Sequence, residues 1–164
     1  MHYRLAAAED LDGVCALIRD AIRELRAHGI DQWDEIYPAR EDFEKDIADG
    51  TLYLALEAET LAAVYVISRE SDEAYQTVEW ACPDETAYIL HRFCVAPAFQ
   101  HRGIGGEVLR RMEQQLRDMG CASVRLDAFI ENPFSQALYR KNGYVTRGWA
   151  DWRKGRFSLM EKQL

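Results

Sequence analysis

The sequence predicts an α/β (α+β) fold, a mixed sheet covered by helices, and three observations lead there. Between Glu9 and about His28 apolar residues recur at spacings of three and four, the stripe of an amphipathic helix. Leu52–Leu56 and Leu61–Ile67 instead read as a strand pair. Further on, two strand-like runs, Ala87–Val95 and Ser123–Phe129, each empty into a helical pattern. Strands alternating with helices in this way build layered α/β folds.

In chain order, Tyr3–Ala6 reads as a short first strand. Leu11, Val14, Leu17, Ile18, Ala21, Ile22 and Leu25 give the first helix its apolar stripe, and Gly29 ends it. The stretch 30–38 is irregular and mixes Trp33 and Tyr37 with Asp31, Asp34 and Glu35. A second helix spans Arg40 to Ala48, stopped by Gly50. Leu52–Leu56 and Leu61–Ile67 form a strand pair around Glu57-Ala-Glu-Thr60, which has no glycine to define its turn. Residues 69–86 are polar, with isolated Trp80, Cys82 and Pro83, and read as a long connection to the central strand. Ile104, Val108, Leu109, Met112, Leu116 and Met119 mark one face of the next helix. Asn132 is a good N-cap, Pro133 suits the first helical position, and Gly143 terminates that last helix. Tyr144–Trp152 and Arg156–Met160 suggest a closing hairpin turned at Lys154-Gly155.

Bulk properties narrow the function. A chain of 164 residues suffices for one domain, and with no repeat or linker we expect a single domain over 1–164. The net charge of −8 argues against nucleic acid, whose binding needs clustered cations. No run of about 18 apolar residues exists and the start lacks a signal-peptide core, so we expect no membrane partner and a cytoplasmic location. Cys15, Cys82, Cys94 and Cys121 are scattered without metal-ligand spacing, so they read as reduced thiols and no metal is expected.

The most informative segment is Gln100-His101-Arg102-Gly103-Ile104-Gly105-Gly106, between the central strand and a helix. The first amides of a helix have no internal partner and face outward at its positive end. Glycines remove the Cβ atoms that would keep an anion away, so such a turn can wrap a phosphate or pyrophosphate. Arg102 adds a cation at the rim. The dinucleotide fingerprint fails, because Val108 stands where its third glycine belongs, and no Gly-Lys-Ser or Gly-Lys-Thr occurs.

What fits is [QR]-x-x-G-x-[GA], and here the chain resembles the GNAT superfamily of acetyl-coenzyme A-dependent N-acetyltransferases. A second segment strengthens the resemblance: Asn132-Pro-Phe-Ser135-Gln-Ala-Leu-Tyr139-Arg-Lys-Asn-Gly143-Tyr144 is similar to the superfamily's second signature. The resemblance implies a mixed sheet of six to seven strands, flanked by about four helices and splayed at the coenzyme-binding strand. It also implies acetyl transfer from acetyl-coenzyme A to a primary amine by direct attack in a ternary complex. Coenzyme A would lie on Arg102 to Gly106, with Gln100 and His101 shaping the turn. Its pantetheine arm would pair with Phe93, Cys94 and Val95, and Asn132 and Ser135 would face it. Tyr139 occupies the place of the general acid that protonates the departing thiolate; beside Leu138 on a helix, an ordinary core aromatic is the other reading.

The base is open. His91 titrates near neutrality and is the candidate, with strand alternation placing it on the face of Phe93 and Val95; a buried, satisfied histidine is the other reading. Glu57, Glu79 and Asp127 are further carboxylates that could relay a proton or be plain surface charges. Trp33 and Tyr37 fall in the region resembling the acceptor-side loop, where Asp31, Asp34 and Glu35 would attract an ammonium group; both aromatics could equally cover the core. Cys94 lacks a base partner and reads as structural. Partners are thus a small-molecule or peptide amine and, by resemblance, a homodimer. Two alternatives stay open: a coenzyme-binding sensing module with weak catalysis, and an enzyme acetylating protein N-termini or lysines.

Overall fold

The structure is a computed structural model that describes residues 1–164. Eleven elements follow in order: β1 (His2–Leu5), α1 (Leu11–Ala27), α2 (Arg40–Ala48), β2 (Leu52–Glu57), β3 (Thr60–Ser68), β4 (Ala87–Val95), α3 (Ile104–Asp118), β5 (Ser123–Phe129), α4 (Pro133–Lys141), β6 (Val145–Trp152) and β7 (Gly155–Gln163). This is the expected succession, and the seven strands take the order β1-β2-β3-β4-β5-β7-β6. The last strand is longer than expected. Met119 lies just past α3 and is 56% exposed, so it does not continue the buried stripe. The chain divides into two compact units, Met1–Ile67 with Arg92–Val108, and Ser68–His91 with Leu109–Leu164.

In the first unit, β1, β2 and β3 form an antiparallel meander. Leu11, Val14, Leu17, Ile18 and Ala21 of α1 pack with Phe43 of α2 and with Leu52, Leu54, Leu56, Val64 and Val66 of the strands. Each large side chain buried this way contributes roughly 1.5–3 kcal/mol. The turn that the sequence left open is a two-residue loop, with Ala58 at φ 46° and Glu59 at φ 64°. Two successive positive φ values define the hairpin turn whose twist matches the strands. Here residues with a Cβ adopt it, at some cost. Asp10 accepts the Ala7 amide at 2.7 Å and both Arg4 guanidinium nitrogens at 2.7 Å, tying β1 to the start of α1.

In the second unit, β4 and β5 run parallel from Ala87↔Ser123 to Leu90↔Leu126, and the ladder stops there although β4 continues to Val95 and β5 to Phe129. This is the splay that the resemblance implied. β5 then pairs antiparallel with β7, which pairs with β6. Gln136 of α4 donates to the Ala128 carbonyl at 3.0 Å and to Ser158 at 2.8 Å. Glu113 of α3 accepts from Lys162 at 2.6 Å and Tyr144 at 3.1 Å.

The connection 69–86 is fastened to the face of β5 and β7 that carries Arg125 and Glu161. Buried Glu161 accepts the amides of Ala81 (2.7 Å) and Cys82 (3.2 Å). Arg125, opposite it in register, reaches Asp84 and the Cys82 carbonyl at 2.6 Å each and lies 4.5 Å from the Trp80 ring centre. Tyr75, Ile89, Ala150 and Leu159 form a small core there, with Val78, Trp80 and Trp152 packed on it. Gly148 is needed for that close packing, since a Cβ would stand 2.8 Å from a Val78 methyl.

Candidate active site

The glycine-rich segment belongs to the first unit. Beyond β4 the Ala96 amide still donates to the Ala62 carbonyl (2.8 Å), and Pro97–Phe99 makes a 3₁₀ turn. Gln100 then turns back, its side-chain amide donating to the Val95 carbonyl at 3.1 Å. His101 (φ 59°) and Gly103 (φ 79°) take left-handed conformations, and α3 begins at Ile104. Its first helical bond runs from the Glu107 amide to the Gly103 carbonyl at 3.1 Å, so the amides from Gly103 to Gly106 precede the hydrogen-bonded ladder. Ile104 is buried and anchors the turn, whereas residues 101–103 are exposed. Nothing lies within 4 Å of where a Gly103 Cβ would be. The turn thus offers outward-facing backbone and open space, which suits an anion.

The rim cation differs from expectation. Arg102 is paired with Glu57 at 2.8 Å and lies over Phe99, 5.0 Å from the ring centre. Its charge is therefore balanced, and Glu57 is engaged as its partner.

Strict alternation along the central strand fails at Arg92, whose φ is 47°. The left-handed residue rotates the chain, so positions before and after it do not share faces by simple counting, and the expected grouping of His91 with Phe93 and Val95 does not follow. A reason for this backbone is visible in the side chain. Arg92 makes a two-pronged contact with Asp46, Nε to Oδ2 at 2.7 Å and Nη2 to Oδ1 at 2.6 Å, with 15% and 6% of the side chains exposed. Burial lifts the Asp46 carboxyl above its ordinary value, and the guanidinium works against that lift. The third prong donates to the Tyr37 hydroxyl at 2.9 Å.

Tyr37 is 40% exposed and fixed by Arg92, while Trp33 packs against the α1 and β-meander core. The nearby acids are largely committed. Asp34 is buried and accepts the amides of Ile36 (2.9 Å) and Tyr37 (3.1 Å), and Glu35 pairs with Arg26 at 3.0 Å. Asp34 thus shapes the loop, and Glu35 is engaged as the partner of Arg26. Cys94 is buried, and burial pushes its thiol up to about 12, which removes it as a nucleophile near neutrality.

In the second unit, His91 Nε2 lies 2.9 Å from the Glu70 carbonyl. A carbonyl only accepts, so Nε2 carries a proton and donates it there. Tyr75, which is buried, donates to Asp127 Oδ2 at 2.8 Å, and Trp80 stacks on Tyr75 while its Nε1 donates to the Tyr75 carbonyl at 2.8 Å. Glu79 is exposed. Asn132 caps α4, its side-chain oxygen accepting the amides of Phe134 (3.1 Å) and Ser135 (3.2 Å). The Ser135 hydroxyl donates to the Asn132 carbonyl at 3.2 Å. Tyr139 is 7% exposed and meets Tyr144 edge-on at 5.7 Å between ring centres. Burial and neighbouring Glu113 hold the Tyr144 phenol well above its ordinary range.

Sequence reasoning missed two partnerships, Asp46 with Arg92 and Tyr75 with Asp127, which span 46 and 52 residues. Only an arginine inside a largely apolar strand hinted at the first.

Residues 16–144 match the family model described as the acetyltransferase (GNAT) family. The chain belongs to that family. It is therefore an acyltransferase enzyme of the GNAT type. It is 27% identical over 161 residues to the uncharacterized N-acetyltransferase YesJ of Bacillus subtilis (strain 168), covering 97% of this chain and 88% of that protein. Among solved structures, a GNAT-family acetyltransferase from Streptococcus agalactiae 2603 superposes with TM-score 0.89 at 24% identity, over 99% of this chain and 95% of that one. The PaiA N-acetyltransferase of Thermoplasma acidophilum, in complex with coenzyme A, gives TM-score 0.74 at 20% identity over 99% and 98%. These two likenesses are of fold. No helix of the GNAT chain is long and apolar enough to cross a membrane.

Proposed function

We propose that residues 1–164 act as one N-acetyltransferase domain, moving an acetyl group from acetyl-coenzyme A to a primary amine by direct attack in a ternary complex. The observation that carries this reading is the exposed left-handed turn at His101 and Gly103, opening α3 in a chain of the GNAT family. Unladdered amides with open space beside them suit the pyrophosphate of coenzyme A. The coenzyme supplies an activated thioester. The residues Gln100 to Gly106 hold its diphosphate, and the backbone of Phe93, Cys94 and Val95 pairs with its amide-bearing arm as a sheet edge takes a strand. Asn132 and Ser135, at the start of α4, complete the coenzyme contacts.

The amine must lose a proton before it attacks. His91 serves as base through Nδ1, since its Nε2 proton is spent on the Glu70 carbonyl. Tyr139 returns a proton to the departing thiolate, a transfer between groups of comparable acidity. Tyr37 and Trp33 border the acceptor.

The test is coenzyme binding by calorimetry, together with acceptor-dependent thiol release over a panel of amines. Replacing Gly105 with Leu should weaken coenzyme binding about tenfold or more, a loss of roughly 1.4 kcal/mol or greater, without unfolding the chain. Tyr139→Phe should slow transfer with coenzyme affinity retained. Unaltered coenzyme affinity in the Gly105 variant would refute the loop assignment.

A further inference from the structure

Four residues other than glycine have a positive φ, and three of them, Ala58, Glu59 and His101, lie in turns. Arg92 is the fourth and stands inside β4, at φ 47°. A left-handed residue that carries a Cβ is costly, and it persists only where its surroundings hold it. The chain beyond it is anchored, with Cys94 buried in the core of the first unit and the Ala96 amide donating to the Ala62 carbonyl at 2.8 Å. An extended residue 92 would have to turn the peptide groups about Phe93 to rejoin those anchors.

Asp46 supplies the hold. Its carboxylate takes Nε and Nη2 of Arg92 at 2.7 and 2.6 Å, and Nη1 donates to the Tyr37 hydroxyl at 2.9 Å. With all three guanidinium nitrogens engaged, the side chain cannot follow a backbone that relaxes. Asp46 itself sits on a firm base. Phe43 buries α2 in the core, and the Asp46 carbonyl accepts the amide (2.9 Å) and the hydroxyl (3.2 Å) of Thr51, which ties α2 to β2. Packing alone does not call for a carboxylate that is 4% exposed, since apolar residues of similar volume often stabilise such a site as well or better.

We propose that Asp46 is a positioning residue for the coenzyme strand: through the Arg92 guanidinium it holds the left-handed kink that presents the backbone edge of Phe93, Cys94 and Val95. The inference rests on the proposed pairing of this edge with the amide-bearing arm of coenzyme A. An extended ligand pairs with a strand edge only where the peptide groups already point at it. Asp46 touches neither substrate and acts wholly through Arg92. Without the clamp, residue 92 relaxes toward the extended form, and the kink must be rebuilt whenever coenzyme binds. Affinity then falls by the fraction of chains that still hold the kink.

The experiment separates the clamp from the kink with two double variants, Asp46→Asn with Arg92→Gly and Asp46→Asn with Arg92→Ala. Both lose the ion pair and leave no stranded charge, and they differ by a single Cβ at the left-handed position. Calorimetry gives the Kd of each for coenzyme A and for adenosine 3′-phosphate 5′-diphosphate, which carries the diphosphate without the arm. Thermal stability is recorded alongside. Glycine adopts the kink about as readily as the extended form, so its variant should bind coenzyme A within about threefold of the intact chain. The alanine variant should bind it about fivefold to thirtyfold more weakly, the weight of one left-handed residue with a Cβ. The armless fragment should bind both alike.

Equal coenzyme Kd in the two double variants, whether both normal or both weak, overturns the proposal. So does a loss that the armless fragment shares, because it would reach the diphosphate turn and not the strand edge. Where the intact chain binds coenzyme A and Gly105→Leu weakens it, either result leaves the enzyme reading standing; an intact chain that binds no coenzyme removes both. Should either double variant fail to fold, Asp46→Glu decides instead. It keeps the charge, but its extra methylene spoils the two-pronged fit, so coenzyme Kd should rise about threefold or more with the fragment unaffected. An unchanged Kd there overturns the proposal.

Discussion

The buried pair of Asp46 and Arg92 supports a quantitative prediction. In Asp46→Asn the shape is nearly kept, but one oxygen becomes an NH₂ that faces a guanidinium N–H. Arg92 then keeps its charge in a site where only 15% of its side chain is exposed. Charges about 4 Å apart at an effective dielectric of about 20 attract by about 4 kcal/mol, and breaking a buried pair from one side costs about 3–5 kcal/mol. For a chain of this size the loss lowers Tm by about 6–20 °C. Urea unfolding at neutral pH measures it, with an unchanged m-value showing that the unfolded state is the same. The double variant Asp46→Asn with Arg92→Met, which removes the stranded charge, should recover about 2 kcal/mol relative to the sum of the single changes. A cost below about 1 kcal/mol for Asp46→Asn, or strictly additive singles, would refute the claim that the pair is electrostatically coupled.

Two further outcomes rest on backbone and burial. Glu59→Gly places the one residue without a Cβ at φ 64°, so it should raise stability by about 1 kcal/mol, read as a higher urea midpoint; an unchanged or lower midpoint would contradict the strain assigned to that turn. Cys94 is raised in the folded chain to about 12 from its ordinary 9.0. The raised value contributes stability that is whole below pH 9 and drains away as pH climbs toward 12. By pH about 10.5 the intact protein should therefore lose about 2 kcal/mol more than Cys94→Ala does over the same interval. Parallel pH profiles for the two would show that the thiol ionises as easily in the fold as outside it.

Much of the fold was legible because the signals are local. Asn132, Pro133 and Gly143 bracket α4 by capping chemistry, and the α1 stripe from Leu11 to Ala21 is the buried face observed. The glycine-rich turn was readable for the same reason, since Gly103 and the start of α3 are neighbours in sequence. What sequence could not supply was any contact closed by the sheet. The alternation rule fails at Arg92 because Asp46, far away in the chain, captures the guanidinium while the backbone turns left-handed. Composition likewise does not reveal that Asp34 accepts the amides of Ile36 and Tyr37 and so shapes its loop. Asp127 read as a proton relay or a plain surface charge, and its Tyr75 partner, 52 residues away, was not visible in the sequence.

The ion pair of Arg102 with Glu57 alters how the glycine turn would respond to its surroundings. An anion settling on those amides finds the neighbouring cation already satisfied, so it swaps one half-exposed ion pair for another with little net gain. Most of the grip then comes from neutral backbone dipoles. Affinity governed that way should decline only gently as ionic strength rises, unlike a site that relies on an unattended arginine.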